Sequence, residues 1–281
     1  MNKNCIITGA TDGIGKQTAF ELAKLGYSIG LVGRSQGKGT AVLEEIVKAT
    51  GNDSLKYFKA DLSIINNLDD LANEIKKEYD SIDVLINNVG AYFSEYSVTN
   101  EELEMTFALN HLSYFQLTLL LMDPILSGKG GGRVINVASS AHFGAKFDPN
   151  DIQMKKQYKG WTAYSNSKLM NILFTYEAHK RYGETGISFN CLHPGFVDTS
   201  FGDNNKGLGK NILRIGKKLI AINVIKGAST NVYLAASDEV ANLSGKYFDR
   251  SRAVNSSKAS YSDLNQKDLW SYSEDIINTL G

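Results

Sequence analysis

Residues 8–15 read Thr8-Gly9-Ala10-Thr11-Asp12-Gly13-Ile14-Gly15. The short apolar run before them, 5–8, reads as a strand, and the amphipathic stretch after them, 15–25, as a helix. Glycine permits a tight turn and lets a ligand approach the backbone closely. The helix that follows offers unpaired N–H groups and a partial positive charge to a phosphate. The glycines are spaced G-xxx-G-x-G, not G-x-G-x-x-G. Such a loop on its own is equally a plain turn. A strand before it and a helix after it, within the first 25 residues, are the context that turns it into a pyrophosphate cradle. The cradle is then Gly9, Thr11, Asp12, Gly13, Ile14 and Gly15.

Outward from the turn, short apolar runs alternate with longer amphipathic segments. Runs at 5–8, 28–32, 55–60, 84–87, 133–138, 187–192 and 246–248 read as strands. Their hydrophobicity is continuous, as expected of strands covered on both faces. Helical patterns lie at 15–25, 38–49, 68–79, 101–126, 163–182 and 228–236. This rhythm predicts an α/β fold: one doubly wound, Rossmann-type parallel sheet of about seven strands with helices on both faces. No linker divides the chain, so 1–281 is expected to be a single domain. Residues 196–225 read as a substrate lid and 249–281 as a C-terminal covering segment without evident chemistry.

The composition suits an ordinary globular chain of 281 residues, with 42% hydrophobic and 21% charged residues. Basic and acidic residues balance at 30 each, which gives no overall attraction to nucleic acid or membrane. The two cysteines, Cys5 and Cys191, sit in apolar strand-like runs. They read as small buried hydrophobes in a reducing, cytoplasmic setting. Two cysteines and four histidines offer no metal-ligand spacing. There is no signal peptide, and the most apolar run, 117–126, is interrupted by Asp123 and Pro124, so a soluble protein is expected.

Tyr164 and Lys168 stand four residues apart on a predicted helix and therefore share a face. A phenol titrates near ~10, and an adjacent ammonium favours its charged form, so Lys168 is expected to lower Tyr164. Tyr164 then reads as a general acid toward a carbonyl and a base toward an alcohol. Ser139 follows the fifth strand, at the edge where open α/β sheets bind ligands, and could hydrogen-bond the reacting oxygen. A Ser–His hydrolase is the weaker alternative. Ser139 lies outside any G-x-S-x-G elbow, and His142 and His193 read as loop and strand-end residues. At the end of the second strand, Leu31-Val32-Gly33-Arg34-Ser35 lacks the carboxylate that would bond a ribose 2′-hydroxyl. Arg34 there can grip a 2′-phosphate, helped by Ser35 and Lys38.

The TGxxxGxG turn, Ser139 and the Tyr164-x-x-x-Lys168 pair together resemble the short-chain dehydrogenase/reductase family. The resemblance runs through nearly the whole chain. Asn87-Asn88-Val89-Gly90 resembles the family's NNAG with valine for alanine, and Asn110 its catalytic asparagine. Pro194-Gly195 with Val197 and Thr199 resembles the motif beside the nicotinamide. Leu109-Asn110-His111-Leu112, Ser139-Ser140-Ala141-His142, 163–169 and Leu192-His193-Pro194-Gly195 are similar to the retinol dehydrogenase-like branch. The resemblance implies an oxidoreductase that moves a hydride between NADP(H) and a carbonyl or alcohol. It implies catalysis by Ser139, Tyr164, Lys168 and Asn110, the last holding a water that links Lys168 to solvent. It implies cofactor contacts from Asp61 and Leu62 at the adenine, from Asn88, Val89 and Gly90 beneath the ring, and from Tyr164 and Lys168 at the ribose. It also implies a homodimer through 101–126 and 163–182. A non-catalytic NADP sensor or a scaffold is the rival reading, and four intact catalytic positions argue against it.

Phe143, Phe147, Tyr158 and Trp161 are expected to shape an apolar substrate pocket with the lid. Residues 204–226 carry Lys206, Lys210, Arg214, Lys217, Lys218 and Lys226 and no acid. Leu208, Ile212, Ile215, Leu219 and Ile222 recur at helical spacing. The plain reading is a lid with solvated lysines; contact with an anionic membrane is the second.

Overall fold

The computed structural model describes residues 2–128, 131–195 and 224–280. Its strands are β1 (Asn4–Thr8), β2 (Ser28–Gly33), β3 (Leu55–Lys59), β4 (Val84–Asn87), β5 (Arg133–Val137), β6 (Ser188–His193), β7 (Lys246–Asp249) and β8 (Arg252–Val254). They form one sheet in the order β3-β2-β1-β4-β5-β6-β7-β8. Strands β1 to β7 are paired in parallel, and β8 returns antiparallel along β7. The strand order reverses at the β1–β4 pair. In open α/β sheets, ligands bind beyond the strand ends at such a reversal.

Helices α1 (Gly13–Lys24), α2 (Gln36–Thr50) and α8 (Val224–Ala236) cover one face. Successive strand residues point to opposite faces. Ile7, Ile29, Leu31, Ile86 and Ile135 therefore pack against Leu22, Val42, Ile46 and Leu234 on that side. On the other side lie α3 (Leu68–Glu78), α5 (Ser113–Leu120), α7 (Gly160–Tyr182) and α9 (Asp263–Leu280). There Ile6, Leu85, Val134 and Phe189 meet Leu71, Phe115, Leu173 and Trp270. Both cysteines are buried and unpaired, and burial raises both thiols.

Two features depart from expectation. The eighth strand was not foreseen. Arg250 (φ 48°) and Ser251 (φ 59°) make the two-residue hairpin turn into it. Such turns are usually announced by Asn-Gly or Asp-Gly, and here a tertiary bond from Ser251 N to Thr230 Oγ1 (3.1 Å) supports the turn instead. The single helix expected over 101–126 is also broken. Glu104 pairs with Val98 in an isolated bridge and then caps α4 (Met105–Phe107), accepting from Thr106 N and Phe107 N. A π turn (Ala108–Leu112) leads into α5, and Leu121 separates α5 from α6 (Met122–Leu126).

Helix α9 packs on α5 and α7. Trp270 is 2% exposed, with its ring 4.8 Å from Phe115 and 5.9 Å from Phe174. Ser273 Oγ bonds His111 Nε2 at 3.0 Å. Among the described residues, no helix is long and apolar enough to cross a membrane.

Candidate active site

The glycine turn leaves β1 at the sheet's reversal. Gly9 and Gly13 hold positive φ, +65° and +53°. A Cβ on Gly9 would stand 2.9 Å from Val89 Cα, and one on Gly15 would collide with the Gly9 carbonyl and come within 2.5 Å of Asn88 Nδ2. Neither position tolerates a side chain without opening the turn. Thr8 Oγ1 ties the turn to β4 by accepting from Asn88 N (2.9 Å) and Val89 N (3.1 Å). Asn88 Nδ2 donates to Thr8 O at 2.8 Å. Asp12 caps α1 through Gly13 N (2.7 Å). Thr11 lies against Gly33, while Ile14 is partly buried at the start of α1. The side-chain-free backbone and the helix N-terminus behind it fit a dinucleotide pyrophosphate. Val89 in place of alanine is accommodated, its side chain partly buried against the core.

At the end of β2, Arg34 and Lys38 are exposed, and Ser35 caps α2 through Lys38 N (3.5 Å). The Tyr57 hydroxyl lies 2.6 Å from Gly33 O and 2.9 Å from Ser35 O, which fixes the backbone beneath Arg34. Asp61, two residues past β3, accepts from Ser63 N and Ser63 Oγ through one oxygen. The Leu62 side chain is buried in the core.

Ser139, Tyr164, Lys168 and Asn110 converge beyond β4 and β5. Ser139 follows β5, accepts from Ala141 N (3.2 Å), and lies beside the Tyr164 phenol, where its hydroxyl favours the charged form. Lys168 Nζ lies 5.8 Å from the Tyr164 ring centroid and donates to Val137 O at 3.1 Å. Asn110 sits in the π turn, where it accepts from Ala91 N (2.9 Å) and donates to Ala91 O (2.9 Å) and Ser167 Oγ (3.1 Å). Gly90 floors this cluster, since a Cβ there would stand 3.2 Å from Lys168 Nζ. Beneath it a buried polar chain runs from Thr118 through Asn87 and Asn136 to Thr175, joining α5, β4, β5 and α7.

One electrostatic expectation is reversed. Burial pushes Tyr164 up to about 12, with the Ser139 hydroxyl pulling the other way, and burial draws Lys168 down to about 7. Lys168 is 3% exposed and Tyr164 8%, so desolvation outweighs any attraction between the pair.

The aromatic residues expected around the pocket divide into two groups. Trp161 is 53% exposed with its ring 5.7 Å from Tyr164, and Phe143 is 59% exposed. Phe147 packs on the core instead. Tyr158 turns inward, its hydroxyl 3.0 Å from Thr106 Oγ1 and 3.1 Å from Phe93 O. Tyr92 stands edge-on to Tyr164 at 6.4 Å, and Tyr114 bonds Val89 O at 2.6 Å; neither was foreseen. Tyr114 is four residues past Asn110 and so shares its helical face, a signal that was available. Pro194 and Gly195 follow β6, Gly195 at φ 86°. Val197, Thr199 and the lid up to residue 223 lie outside the described residues.

A sequence model of the short chain dehydrogenase family matches residues 3–207. Human retinol dehydrogenase 13 is 36% identical over 252 residues, covering 88% of this chain and 76% of that protein. Human polyprenol dehydrogenase is 32% identical over 287 residues, covering 98% and 85%. A crystal structure of a Mycobacterium paratuberculosis protein superposes with a TM-score of 0.79 at 26% identity, covering 98% of this chain and 93% of that one. This chain belongs to the short-chain dehydrogenase/reductase family, in its retinol dehydrogenase-like branch. It is an NAD(P)-dependent oxidoreductase acting on CH–OH and C=O groups.

Proposed function

We propose that the chain transfers a hydride between NADP(H) and an apolar carbonyl or alcohol, with Tyr164 exchanging the proton. The observation that carries this reading is the convergence of Ser139 and Lys168 on Tyr164, with Lys168 Nζ 5.8 Å from its ring centroid. The dinucleotide would lie along Gly9–Gly15, Asn88–Gly90 and Lys168, and when bound it supplies or accepts the hydride. Tyr164, raised to about 12, keeps its proton at neutral pH, the state a general acid needs toward a carbonyl oxygen. Ser139 donates to the same oxygen as negative charge develops on it. Lys168 and Asn110 carry the proton path behind Tyr164. Arg34 and Lys38 select the 2′-phosphate.

Tyr92 and Trp161 set their rings beside Tyr164, which suits an apolar substrate; relatives named for retinol and polyprenol support that class. NADPH consumption over aldehydes, ketones, retinoids and steroids tests the reading. Turnover should concentrate among the bulky apolar carbonyls, and a preference for small polar aldehydes would contradict it. The two buried free thiols suit a reducing compartment such as the cytoplasm. Helix α9 packs over the face of α5 and α7 that a homodimer would otherwise use.

A further inference from the structure

His142 stands three residues past Ser139, is fully buried, and is not one of the residues proposed to touch substrate or cofactor. Its Nδ1 lies 2.6 Å from Ser139 O, and its Nε2 lies 3.1 Å from Ser257 N. A carbonyl only accepts and a peptide N–H only donates. The ring proton is therefore on Nδ1, donated to Ser139, and the lone pair of Nε2 receives Ser257. Burial lowers the imidazole's basicity, in keeping with this neutral form. Tyr247 packs on one side of the ring, at 4.9 Å. On the other side of the serine loop, His193 Nδ1 accepts from Ser140 N at 3.1 Å.

Ser257 is itself held. Its carbonyl accepts from Ser260 N (3.0 Å) and Ser260 Oγ (2.6 Å). Its neighbour Ser256 bonds the Tyr176 hydroxyl at 2.7 Å, on the same helix as Tyr164 and Lys168. Ser257, His142 and Ser139 thus form one chain of bonds from the C-terminal segment to the peptide that carries the Ser139 hydroxyl.

We infer that His142 is a positioning residue, which holds the Ser139 hydroxyl against Tyr164 and is oriented by the Ser257 N–H of the C-terminal segment. The inference rests on the function proposed for Ser139 and Tyr164. Ser257 offers a selective test. Its φ of −64° is that of proline, and its own hydroxyl is buried without a partner. Ser257→Pro therefore keeps this backbone angle, removes the N–H and sets the proline ring carbon against His142 Nε2, so it breaks the bond that orients the imidazole.

The measurement is kcat, KM and NADPH affinity of the full chain, with the best substrate of the carbonyl panel, for three variants alone and in a Ser139→Ala background. Ser257→Pro and His142→Phe should each lower kcat about tenfold, in the range expected when a reacting group is displaced by a fraction of an ångström. KM and NADPH affinity should stay within about twofold. His142→Asn keeps an N–H at the Nδ1 position and should lose less than His142→Phe. In the Ser139→Ala background all these losses should vanish, because groups acting through one residue are not additive. Unchanged kcat in folded Ser257→Pro and His142→Phe, or the same loss with Ser139 already removed, would overturn the inference. If Ser139→Ala and Tyr164→Phe themselves leave kcat intact, the proposed function fails instead.

Discussion

Tyr164 and Lys168 are each driven toward the neutral form by burial, to about 12 and about 7. Their spacing on α7 could be read from sequence, but the sign of the Tyr164 shift could not, because it depends on how much protein surrounds the pair. The same limit applies to His142 and Tyr92, whose partners are brought near only by the fold; Ser257 is 115 residues from His142. The glycines, Ser139, Tyr164, Lys168 and Arg34 were legible because their signals are short and local. Arg34 yields a prediction at this scale. The chain should prefer NADPH to NADH by at least about tenfold, roughly 1.4 kcal/mol, and Arg34→Ala should remove most of that preference by weakening NADPH alone. Titration of both coenzymes against both proteins checks this. Equal weakening of the two would make Arg34 a structural residue.

Strands β1 to β7 were legible as apolar runs punctuated by turn residues, and α1, α2, α3 and α7 as periodic stretches. What escaped was decided by tertiary contact. The 98–126 region pairs, caps and turns around a buried Glu104 that reads in sequence as one more helical acid. The β7–β8 hairpin closes through Arg250 and Ser251, two side-chain-bearing residues in the left-handed region. A non-glycine residue there is strained. Ser251→Gly should therefore stabilise the chain by about 0.5–1 kcal/mol, read as a raised midpoint of urea unfolding with unchanged slope. A lowered midpoint would mean that the Ser251 side chain contributes more than its backbone costs.

Across the whole molecule, α9 joins the C-terminus to the helices that carry Asn110 and Tyr164, and its aromatic seam with Phe107, Phe115 and Phe174 leaves that face covered. Sedimentation velocity should accordingly give either a monomer or a dimer whose cross-links avoid α5 and α7; cross-links between copies through those helices would contradict this packing. His111 lies at the centre of the seam, and burial lowers it to about 3. An unfolded histidine titrates near ~6.5. Between these values the unfolded chain binds a proton that the folded chain does not, so stability is full above pH ~6.5 and falls as pH drops, by about 1.4 kcal/mol per pH unit. His111→Phe should flatten that slope in urea unfolding measured from pH 7 to 4, and equal slopes in the two proteins would remove His111 from the account. The central claim, that Tyr164 is the proton-exchanging group of an NADP(H)-dependent oxidoreductase, is tested most directly by Tyr164→Phe assayed for NADPH oxidation with a carbonyl accepted by the unaltered chain. The account predicts a loss of about 10²-fold or more with NADPH binding retained; activity within threefold of the unaltered chain would contradict it.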